Sequence, residues 1–361
     1  MRERVVITGG GTGGHLFPGI ALAEEFTRRK EEWKVIFIGT GRELEKRILG
    51  NWGFELITVP SAPLKGRKWW AKVAGSVTLL RGIFWSIGTL HRISPRLVIG
   101  LGGYSSGPVL LAAYLLGIKR VIHEQNVHPG LANRVASRFS QRVFLSWAEG
   151  ARFFPAEKVM VLGNPLRREV LEGRGKKRVG KGFTLLVLGG SQGATNINSA
   201  MTEALKHLDK IKGDLKIIHQ TGEEDQSWVK KEYEQRGFKA SIQPFIDKMA
   251  SCYQQAHLVV CRAGATTLAE LCTWGRASIL IPYPHAADDH QRKNAQVLVK
   301  NGAGRMIQEQ ELTGKRLAQE ILSLYHNRGE LEGMERRAAA LGRPEAAVLI
   351  VDECYRLLGI S

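Results

Sequence analysis

The strongest constraint on the fold of this chain is an alternation of short apolar, β-branched segments with helical patterns. The apolar segments lie at 5–8, 35–38, 97–99, 120–122, 184–188, 215–219, 258–261 and 278–281. Their apolar residues run continuously, which is typical of strands that are covered on both faces. Strands that alternate with helices form βαβ units, so the sequence predicts an α/β fold with parallel sheets and helices on either side.

The alternation restarts near Lys181, which divides the chain into two parts of similar construction. The length of 361 residues is more than twice the roughly 150-residue prior for a single domain, so two domains are expected. We place the hinge at 163–165 and the domains at 1–163 and 164–344. The last segment, 345–361, is predicted to contain a helix that packs back on the first domain.

Three of the predicted strands end in glycine-rich turns. The turns are GGGTGGH at 9–15, GLGGYSSGP at 100–108 and GGSQGA at 189–194. A glycine turn that leads into a helix exposes backbone N–H groups at the helix N-terminus, where the dipole attracts a phosphate or pyrophosphate. Glycine also makes tight turns that bind nothing. Three such turns in one chain favour a ligand-binding cleft.

Gly9, Gly11 and Gly14 satisfy the GxGxxG pattern of dinucleotide-binding folds. A dinucleotide site also needs an Asp or Glu about 20 residues further on, at the end of the second strand. The chain has the sequence GTGR there, at 39–42, and it contains no GxxxxGK[ST] pattern. Nicotinamide, flavin and P-loop nucleotide sites are therefore disfavoured, and no cofactor is expected.

His15 follows the first glycine turn, where the first helix is expected to begin. A positive helix end disfavours a second proton on imidazole, so His15 is expected to be neutral near pH 7 and able to accept a proton. It is therefore a candidate general base. The alternative is a histidine that only caps or packs at the turn, in which case Glu124 is the next group to consider as the base.

Two charged residues after the predicted hinge suit a nucleotide. Glu270 lies in the helix predicted after the turn at 262–264, where a carboxylate can accept the hydroxyls of a ribose while the helix N-terminus faces a phosphate. Compensation of the helix dipole is the simpler explanation of the same glutamate. Arg167, just after the predicted hinge, can neutralise a diphosphate leaving group, or it is a surface arginine.

Composition limits the classes of partner. The chain has 52 Lys and Arg against 34 Asp and Glu, and its formal net charge of +18 favours nucleotides, nucleic acid or an acidic membrane surface. The four cysteines form no CxxC pair and no cluster with histidine at zinc spacing, so neither a metal site nor a disulfide framework is expected, and reduced thiols fit the cytosol. Without a signal-peptide core or an apolar run of 18 residues, the chain is expected to be neither exported nor membrane-spanning.

The basic surplus is concentrated at 56–123, which contains nine Lys or Arg and no acidic residue. Read as a helix, this region has a core-facing stripe that includes Leu80 and Phe84, and further apolar residues lie off the stripe. Apolar residues ringed by basic ones suit shallow insertion into an anionic leaflet, unless they pack against another helix. The residues predicted to contact the membrane are Lys65, Lys68, Trp69, Leu79, Ile83 and Trp85.

Seven motifs together point to one family. They are GGGTGGHLFPG, GLGGYSSGP, HEQNVHPGLANR, GNPLR, LGGSQGA, RAGATTLAE and PYPHAADDHQRKNA, and they span essentially the whole chain. In order and approximate spacing they resemble the bacterial MurG family, whose members add N-acetylglucosamine to lipid I and so make lipid II of peptidoglycan. The resemblance implies an inverting glycosyltransferase of the GT-B type, with two Rossmann-like domains that face each other across a cleft.

The resemblance also implies substrates and residue roles. UDP-N-acetylglucosamine would be held mainly by the C-terminal domain and lipid I by the N-terminal domain, at the inner face of the cell membrane. Glu270 would hold the ribose, the backbone of Ile246 the uracil, and His15 would deprotonate the muramyl 4-hydroxyl. Ser191 and Arg167 would contact the diphosphate, and the sugar would contact Asn126, Gln291 and Asn294. The full set of implied substrate contacts is Thr12, Gly13, Gly14, Gly103, Asn126, Arg167, Ser191, Gln192, Gly193, Phe245, Ile246, Ala265, Thr266, Leu268, Glu270, Gln291 and Asn294.

Two other functions are consistent with part of the sequence. A GT-B enzyme with another lipid acceptor, such as diacylglycerol, would share the glycine turns, but the HEQN and HQRKNA segments argue against it. A basic nucleic-acid-binding module would explain the net charge but not three phosphate-type turns. The chain has no RNA-recognition aromatic motif and no recognisable helix-turn-helix, so no nucleic-acid partner is expected.

Overall fold

The computed structural model describes residues 3–10, 13–30, 32–60, 69–178, 182–190 and 193–360, and of residues 69–77 it describes the backbone alone. The chain divides into two compact units, one formed by 1–167 with 344–361 and the other by 168–343. The boundary therefore falls after Arg167 rather than after Gly163, and the segment 163–165 belongs to the N-terminal unit.

The N-terminal unit is built on a parallel sheet. Its strands in the described part of the chain are β1 (Glu3–Thr8), β2 (Trp33–Gly39), β3 (Glu55–Thr58), β4 (Leu97–Gly100), β5 (Lys119–Glu124), β6 (Arg142–Leu145) and β7 (Val159–Val161). They pair in the order β3-β2-β1-β4-β5-β6-β7, and every pair is parallel. The helices between them are α1 (Gly13–Arg29), α2 (Glu43–Asn51), α3 (Trp69–Ile93), α4 (Ser106–Leu115) and α5 (Leu131–Ala136).

Both faces of this sheet are buried, as the continuous apolar runs predict. Along β1, Val5 and Ile7 pack into one apolar cluster with residues of α1, while Val6 packs into a second cluster with residues of α4. Successive side chains of a strand point to opposite faces, so this division requires helices on both sides of the sheet. The α/β class with a parallel sheet is confirmed.

The C-terminal unit repeats the design. Its strands in the described residues are β8 (Phe183–Leu188), β9 (Leu215–Gln220), β10 (Lys239–Gln243), β11 (Leu258–Cys261), β12 (Ala277–Leu280) and β13 (Gly304–Met306). They pair in parallel in the order β10-β9-β8-β11-β12-β13. The helices are α6 (Arg168–Leu171), α7 (Thr195–Leu208), α8 (Gln226–Gln235), α9 (Met249–Gln255), α10 (Ala265–Trp274), α11 (His290–Lys300), α12 (Gly314–His326) and α13 (Arg328–Leu341).

The last helix, α14 (Ala346–Leu358), belongs to the N-terminal unit. Its residues Ile350, Val351 and Cys354 are buried in the same apolar cluster as α1. Arg29 of α1 also donates a hydrogen bond to the carbonyl oxygen of Val348, at 3.0 Å. The chain thus leaves the second unit and completes the core of the first.

The predicted faces of α3 are wrong. Ile83, predicted to face lipid, is 9% exposed, whereas Leu80 and Phe84, predicted to face the core, are 55% and 72% exposed. The reason is that small residues form the packed face: a methyl group added at Gly82 would lie 2.6 Å from the Pro60 carbonyl oxygen and 3.4 Å from a carbon of Pro108 in α4. Close packing at Gly82 sets which side of the helix faces the core, and Leu80 and Phe84 lie on the other side.

The other residues of the predicted membrane face have mixed outcomes. Leu79 and Trp85 are half-buried, and Trp85 packs against the apolar cluster that contains α4. Lys65 and Lys68 lie outside the described residues, and the side chain of Trp69 does too. Of the helices in the described residues, none has both the length and the apolar character that crossing a bilayer requires.

Candidate active site

Each sheet changes its direction of growth between two central strands. The change falls between β1 and β4 in the N-terminal unit and between β8 and β11 in the C-terminal unit. Ligands of open α/β sheets bind beyond the carboxyl ends of the strands at such a switch point. All four strands lead into turns identified from the sequence, at 9–15, 100–108, 189–194 and 262–264. The topology therefore places these turns at the two positions where ligands are expected.

The two glycine turns of the N-terminal unit touch each other. A methyl group added at Gly103 would lie 2.9 Å from the carbonyl oxygen of Gly10, and Gly103 has a φ of 83° that other residues rarely adopt. Glycine at 103 is therefore required for the close approach. Gly13 and Gly14 are the first residues of α1, and Thr12 lies outside the described residues.

His15 lies in the first turn of α1, as predicted, and it contacts the HEQN segment that follows β5. Its Nδ1 is 3.1 Å from Oε1 of Gln125. The amide nitrogen of Gln125 is in turn 3.1 Å from Nδ1 of His123, and Nε2 of His123 is 3.0 Å from the carbonyl oxygen of Gly163. Three side chains and one carbonyl group thus form a continuous hydrogen-bonded chain, of which the sequence singled out His15 alone.

His123 is completely buried, and burial lowers its pKa to about 4 because a charged imidazolium loses its hydration there. The positive charge of nearby His15 also lowers this pKa, and the bond to the Gly163 carbonyl opposes the shift. His123 is therefore a neutral imidazole at pH 5 and above.

Glu124 holds the loop that connects β5 to α5. It accepts hydrogen bonds from the backbone N–H of Asn126 at 3.0 Å, from that of Gly130 at 3.2 Å and from Nδ2 of Asn133 at 2.9 Å. The carboxyl group is buried, and burial raises its pKa while these N–H donors oppose the rise. Both oxygens are engaged within the loop, so the geometry favours a structural role for Glu124 over the role of alternative base.

These contacts bring several predicted residues of the N-terminal unit together. A methyl group added at Gly102 would lie 3.3 Å from Cε1 of His15 and 3.3 Å from Nδ2 of Asn133. The side-chain nitrogen of Asn126 reaches the shared carboxylate of Glu124 at 3.4 Å. His15, the second glycine turn and the HEQN segment therefore surround one point at the end of the sheet.

The structure adds a carboxylate that sequence reasoning missed. Glu45, in the first turn of α2, is completely buried and accepts hydrogen bonds from Oγ1 of Thr40 at 2.6 Å and from the N–H of Gly41 at 2.8 Å. A methyl group at Gly10 would collide with Oε1 of Glu45. Glu45 therefore packs against the first glycine turn at Gly10. Its sequence signal is its position a few residues after β2.

In the C-terminal unit, Glu270 lies in the second turn of α10 and is buried. The hydroxyl of Tyr253, in α9, donates a hydrogen bond of 2.8 Å to Oε2 of Glu270. Burial and the neighbouring carboxylate raise the pKa of Tyr253, so its hydroxyl keeps the proton that it donates. Tyr253 therefore orients the carboxylate predicted to hold a ribose, a partner that sequence reasoning missed.

Gln220 links two loops of this unit. Its Nε2 donates to the carbonyl oxygen of Gly190 at 2.7 Å, and its Oε1 accepts from the backbone N–H of Ile246 at 3.1 Å. Phe245 is half exposed beside the buried Ile246. The turn at 189–194 and the segment predicted to hold uracil are thus held by one side chain, which the sequence did not single out.

The remaining predicted donor contacts are spread over this turn, α10 and α11. Gly193 has a φ of 78°, and a methyl group there would collide with the carbonyl oxygen of Thr221. Ala265, Thr266 and Leu268 form the first turn of α10, Oε1 of Gln291 accepts from the N–H of Tyr283 at 3.0 Å, and Nδ2 of Asn294 donates to the Ala263 carbonyl at 3.3 Å. Ser191 and Gln192 lie outside the described residues.

Arg167 belongs to the N-terminal unit. Its guanidinium carbon is 4.1 Å from the ring centroid of Phe17 and 5.9 Å from that of Trp52. The contact it makes there is a cation–π contact with α1. Among the described residues, no group of three or more His, Cys, Asp or Glu side chains is arranged to hold a metal ion.

Comparisons with known proteins agree with this construction. The model of the glycosyltransferase family 28 N-terminal domain matches residues 5–145, and that of the family 28 C-terminal domain matches residues 184–350. Relatives from Citrifermentans bemidjiense and Syntrophus aciditrophicus are each named UDP-N-acetylglucosamine--N-acetylmuramyl-(pentapeptide) pyrophosphoryl-undecaprenol N-acetylglucosamine transferase. They are 49% and 48% identical, over 96% and 99% of this chain and 98% and 99% of their own lengths.

Solved structures show the same relationship. The crystal structure of MurG from Acinetobacter baumannii has a TM-score of 0.80 at 31% identity and covers 98% of this chain and 99% of its own. A UDP-GlcNAc 2-epimerase from Neisseria meningitidis bound to UDP-GlcNAc has a TM-score of 0.67 at 13% identity, over 98% of this chain and all of its own, and shares the fold alone. Together these matches define a glycosyltransferase of the GT-B fold. The chain belongs to the MurG family of N-acetylglucosaminyltransferases.

Proposed function

We propose that this enzyme transfers N-acetylglucosamine from UDP-N-acetylglucosamine to the 4-hydroxyl of the muramyl unit of lipid I, with inversion at the anomeric carbon. The products are lipid II and UDP, and the step belongs to peptidoglycan synthesis. The observation that carries the proposal is the position of His15, bonded to Gln125 at 3.1 Å where two glycine turns meet beyond β1 and β4. Membership of the MurG family supports the choice of donor and acceptor.

The donor fits the C-terminal unit by chemistry. Glu270, held at Oε2 by Tyr253, accepts hydrogen bonds from the ribose hydroxyls, and the first turn of α10 directs its N–H groups toward the diphosphate. The N–H of Ile246 already donates to Gln220, so the carbonyl group of Ile246 is the backbone group that receives the N3–H of uracil. Gln291 and Asn294 of α11 contact the sugar.

The acceptor fits the N-terminal unit. His15 removes the proton of the muramyl 4-hydroxyl as the oxygen attacks the anomeric carbon. The bond from that carbon to the diphosphate breaks, and UDP leaves with the electron pair. Helix N-termini stabilise the negative charge that develops on the leaving diphosphate, and Arg167 adds a fixed cation.

Attachment to an anionic membrane surface is part of the same proposal, because the acceptor is a lipid. The exposed side chains of Leu80 and Phe84 in α3, together with the basic region 65–72, suit shallow insertion at the inner face of the cell membrane. Each basic residue near an anionic surface contributes about 1 kcal/mol.

The decisive experiment is incubation of the full chain with radiolabelled UDP-N-acetylglucosamine and a lipid I analogue, followed by separation of the lipid products. The proposal predicts a labelled disaccharide lipid, and unlabelled UDP-N-acetylglucosamine is expected to compete far better than UDP-glucose. Diacylglycerol in place of the lipid I analogue serves as the comparison acceptor. Transfer to diacylglycerol but not to the lipid I analogue would replace the proposal by the alternative of a GT-B enzyme with another lipid acceptor.

A further inference from the structure

The hydrogen-bonded chain that ends at His15 has one fixed end, the carbonyl group of Gly163. A carbonyl oxygen can only accept, so Nε2 of His123, 3.0 Å away, carries the proton and donates it. His123 is buried and neutral, with a pKa lowered to about 4 by burial. A neutral imidazole with its proton on Nε2 presents Nδ1 as an acceptor.

The tautomer of His123 determines the orientation of the Gln125 amide group. Nδ1 of His123 needs a donor, and the Gln125 amide nitrogen lies 3.1 Å from it. The amide oxygen of Gln125 therefore faces His15, with Oε1 3.1 Å from Nδ1 of His15. An amide oxygen only accepts, so the proton of a neutral His15 lies on Nδ1.

We infer that Gln125 and His123 are positioning residues that fix the tautomer of His15, with Nδ1 protonated and Nε2 as the proton acceptor. Histidine in water favours the opposite tautomer, with the proton on Nε2, and that form has no acceptor lone pair on Nε2. The inference rests on the proposed function, in which His15 is the base.

The proton balance of the step follows. The O–H bond of the acceptor hydroxyl breaks as an N–H bond forms at Nε2 of His15, and the resulting imidazolium keeps its Nδ1–H bond to Gln125. Because the Gln125 amide is neutral, it takes no proton and orients the ring without adding charge. The neighbouring carboxylates of Glu124 and Glu45 are held by the N–H and O–H donors of their own loops.

The tautomer can be measured directly. In protein labelled with ¹⁵N-histidine, the two ring nitrogens of each neutral imidazole give distinct shifts for protonated and unprotonated nitrogen. The His15 signals are those that disappear in His15→Ala. At pH 7.5 the wild-type protein is expected to show Nδ1 of His15 protonated and Nε2 unprotonated. A proton on Nε2 of His15 in the wild-type protein would overturn the inference, and this readout depends on neither activity nor the folding of a Gln125 variant.

Activity provides the second readout. Gln125→Met removes the acceptor, so kcat is expected to fall about 10- to 100-fold with the KM for UDP-N-acetylglucosamine unchanged, and His15 is expected to lose its single tautomer. Gln125→Glu places a charge beside Nδ1, which stabilises the imidazolium and moves the acid limb of the kcat profile to higher pH. Gln141→Met is the matched control, because Oε1 of Gln141 accepts a hydrogen bond from the backbone N–H of Arg120 and has no assigned role in the site. A kcat profile that responds to Gln125→Glu no more than to the control would contradict the inference.

Different results would exclude His15 as the base and Gln125 with His123 as positioning residues. If His15→Ala keeps a normal kcat, the base assignment is wrong, while the tautomer measured by ¹⁵N shifts still reports on the hydrogen-bonded chain. If His15→Ala is inactive but wild-type His15 carries its proton on Nε2, the proposed function stands and the positioning role of Gln125 and His123 is wrong.

Discussion

The side chains on which the proposed chemistry depends, His15 and Glu270, are each held by a neutral partner. Gln125 contacts His15 at 3.1 Å, and the hydroxyl of Tyr253 donates to Glu270 at 2.8 Å. A neutral partner fixes orientation without a second charge, so the imidazole remains able to gain a proton and the carboxylate retains acceptor capacity for ribose hydroxyls.

Replacement of His15 tests its role as the base. His15→Ala is expected to lower kcat by roughly 10²- to 10⁴-fold, the usual contribution of a general base, with little change in the KM for the donor. The acid limb that a histidine base gives to the pH profile should disappear in the variant. His91→Ala, at an exposed position of α3, is the control and should keep normal kinetics. A folded His15→Ala enzyme with normal kcat would remove His15 from the mechanism.

Replacement of Glu270 tests the ribose contact. Glu270→Ala is expected to weaken UDP binding by about 1–3 kcal/mol, because the ribose hydroxyls lose a charged acceptor. Isothermal titration calorimetry measures this affinity directly. Glu311→Ala, an exposed glutamate of the same unit, should leave the affinity unchanged. Equal affinities for the wild-type and Glu270→Ala proteins would reduce Glu270 to compensation of the helix dipole.

At the scale of strands, hydrophobic runs identified the interior strands of both sheets except β6, a buried strand of four residues. All eight strands predicted from the sequence are present, and the strands missed include the four at the edges, β3, β7, β10 and β13. Edge strands are covered by fewer neighbours, and β3 and β10 are accordingly half-buried and mixed in polarity. A short polar strand has no continuous apolar run, so its presence depends on the neighbour with which it pairs.

Helix α3 shows a different limit of sequence reasoning. Leu80 and Phe84 were assigned to the core, whereas the buried face of the helix combines the small Gly82, Ser86 and Thr89 with the larger Ile83, Leu90 and Ile93. Hydrophobic periodicity ranks residues by apolarity, so it does not detect small residues that contribute to a packed helix face. The sequence predicted the helix, but it placed Leu80 and Phe84 on the core side and Ile83 on the lipid side, the reverse of what the structure shows.

The corrected face of α3 makes a prediction for membrane binding. Leu80→Ser with Phe84→Ser should reduce co-sedimentation with anionic vesicles while UDP affinity stays normal, since both side chains are exposed. Leu349→Ser, an exposed leucine of α14, is the control for loss of surface apolarity. Ile83→Ala should instead lower the free energy of unfolding by about 2 kcal/mol or more, because Ile83 is buried. Unchanged vesicle binding in the double variant would place the lipid contact elsewhere.

Some residues of the candidate site can be predicted from nearby sequence, and others cannot. Glycine turns, His15 and Glu270 have local signals, because their positions follow from a strand end or a helix start. The contacts of Gln125, Tyr253 and Gln220 have no such local signal, since each meets its target in another element, at separations of 110 residues for Gln125 and His15, 17 for Tyr253 and Glu270, and 26 for Gln220 and Ile246. Which polar side chain orients a functional group depends on the order of strands in the sheet, and a single sequence does not contain that order.

At the scale of the whole molecule, each unit has a core of its own, and each core includes a buried, neutral histidine. His219 of β9 accepts from the Tyr233 hydroxyl at 3.1 Å and bonds to Oδ1 of Asn198 at 2.9 Å. Burial lowers the pKa of His219 to about 3 and that of His123 to about 4. Both histidines therefore stay neutral in the folded protein under conditions in which the unfolded chain takes up protons.

The different protonation of these two histidines in the folded and unfolded states predicts that acid lowers the free energy of unfolding. The pKa values of His123 and His219 in the folded protein lie below the value of about 6.5 in the unfolded chain. Their contribution to the free energy of unfolding is therefore fully present above pH 6.5 and is lost as the pH falls toward 4. Each histidine is expected to lower the free energy of unfolding by about 2 kcal/mol between pH 7 and pH 5. Urea unfolding at the two pH values measures the loss, and His219→Gln should reduce it. His207→Gln, at an exposed position, should not, and an equal loss in the His219 and His207 variants would refute the assignment to His219.

The central claim is that this enzyme joins N-acetylglucosamine to the muramyl 4-hydroxyl in one inverting displacement with His15 as the base. The most direct measurement is the anomeric configuration and linkage of the disaccharide product, determined by ¹H NMR of the lipid made from UDP-N-acetylglucosamine and a lipid I analogue. The donor carries an α bond to the diphosphate, so a single displacement predicts a β-1,4 linkage with the large H1–H2 coupling of a diaxial pair. An α linkage, or attachment at another hydroxyl, would contradict the account.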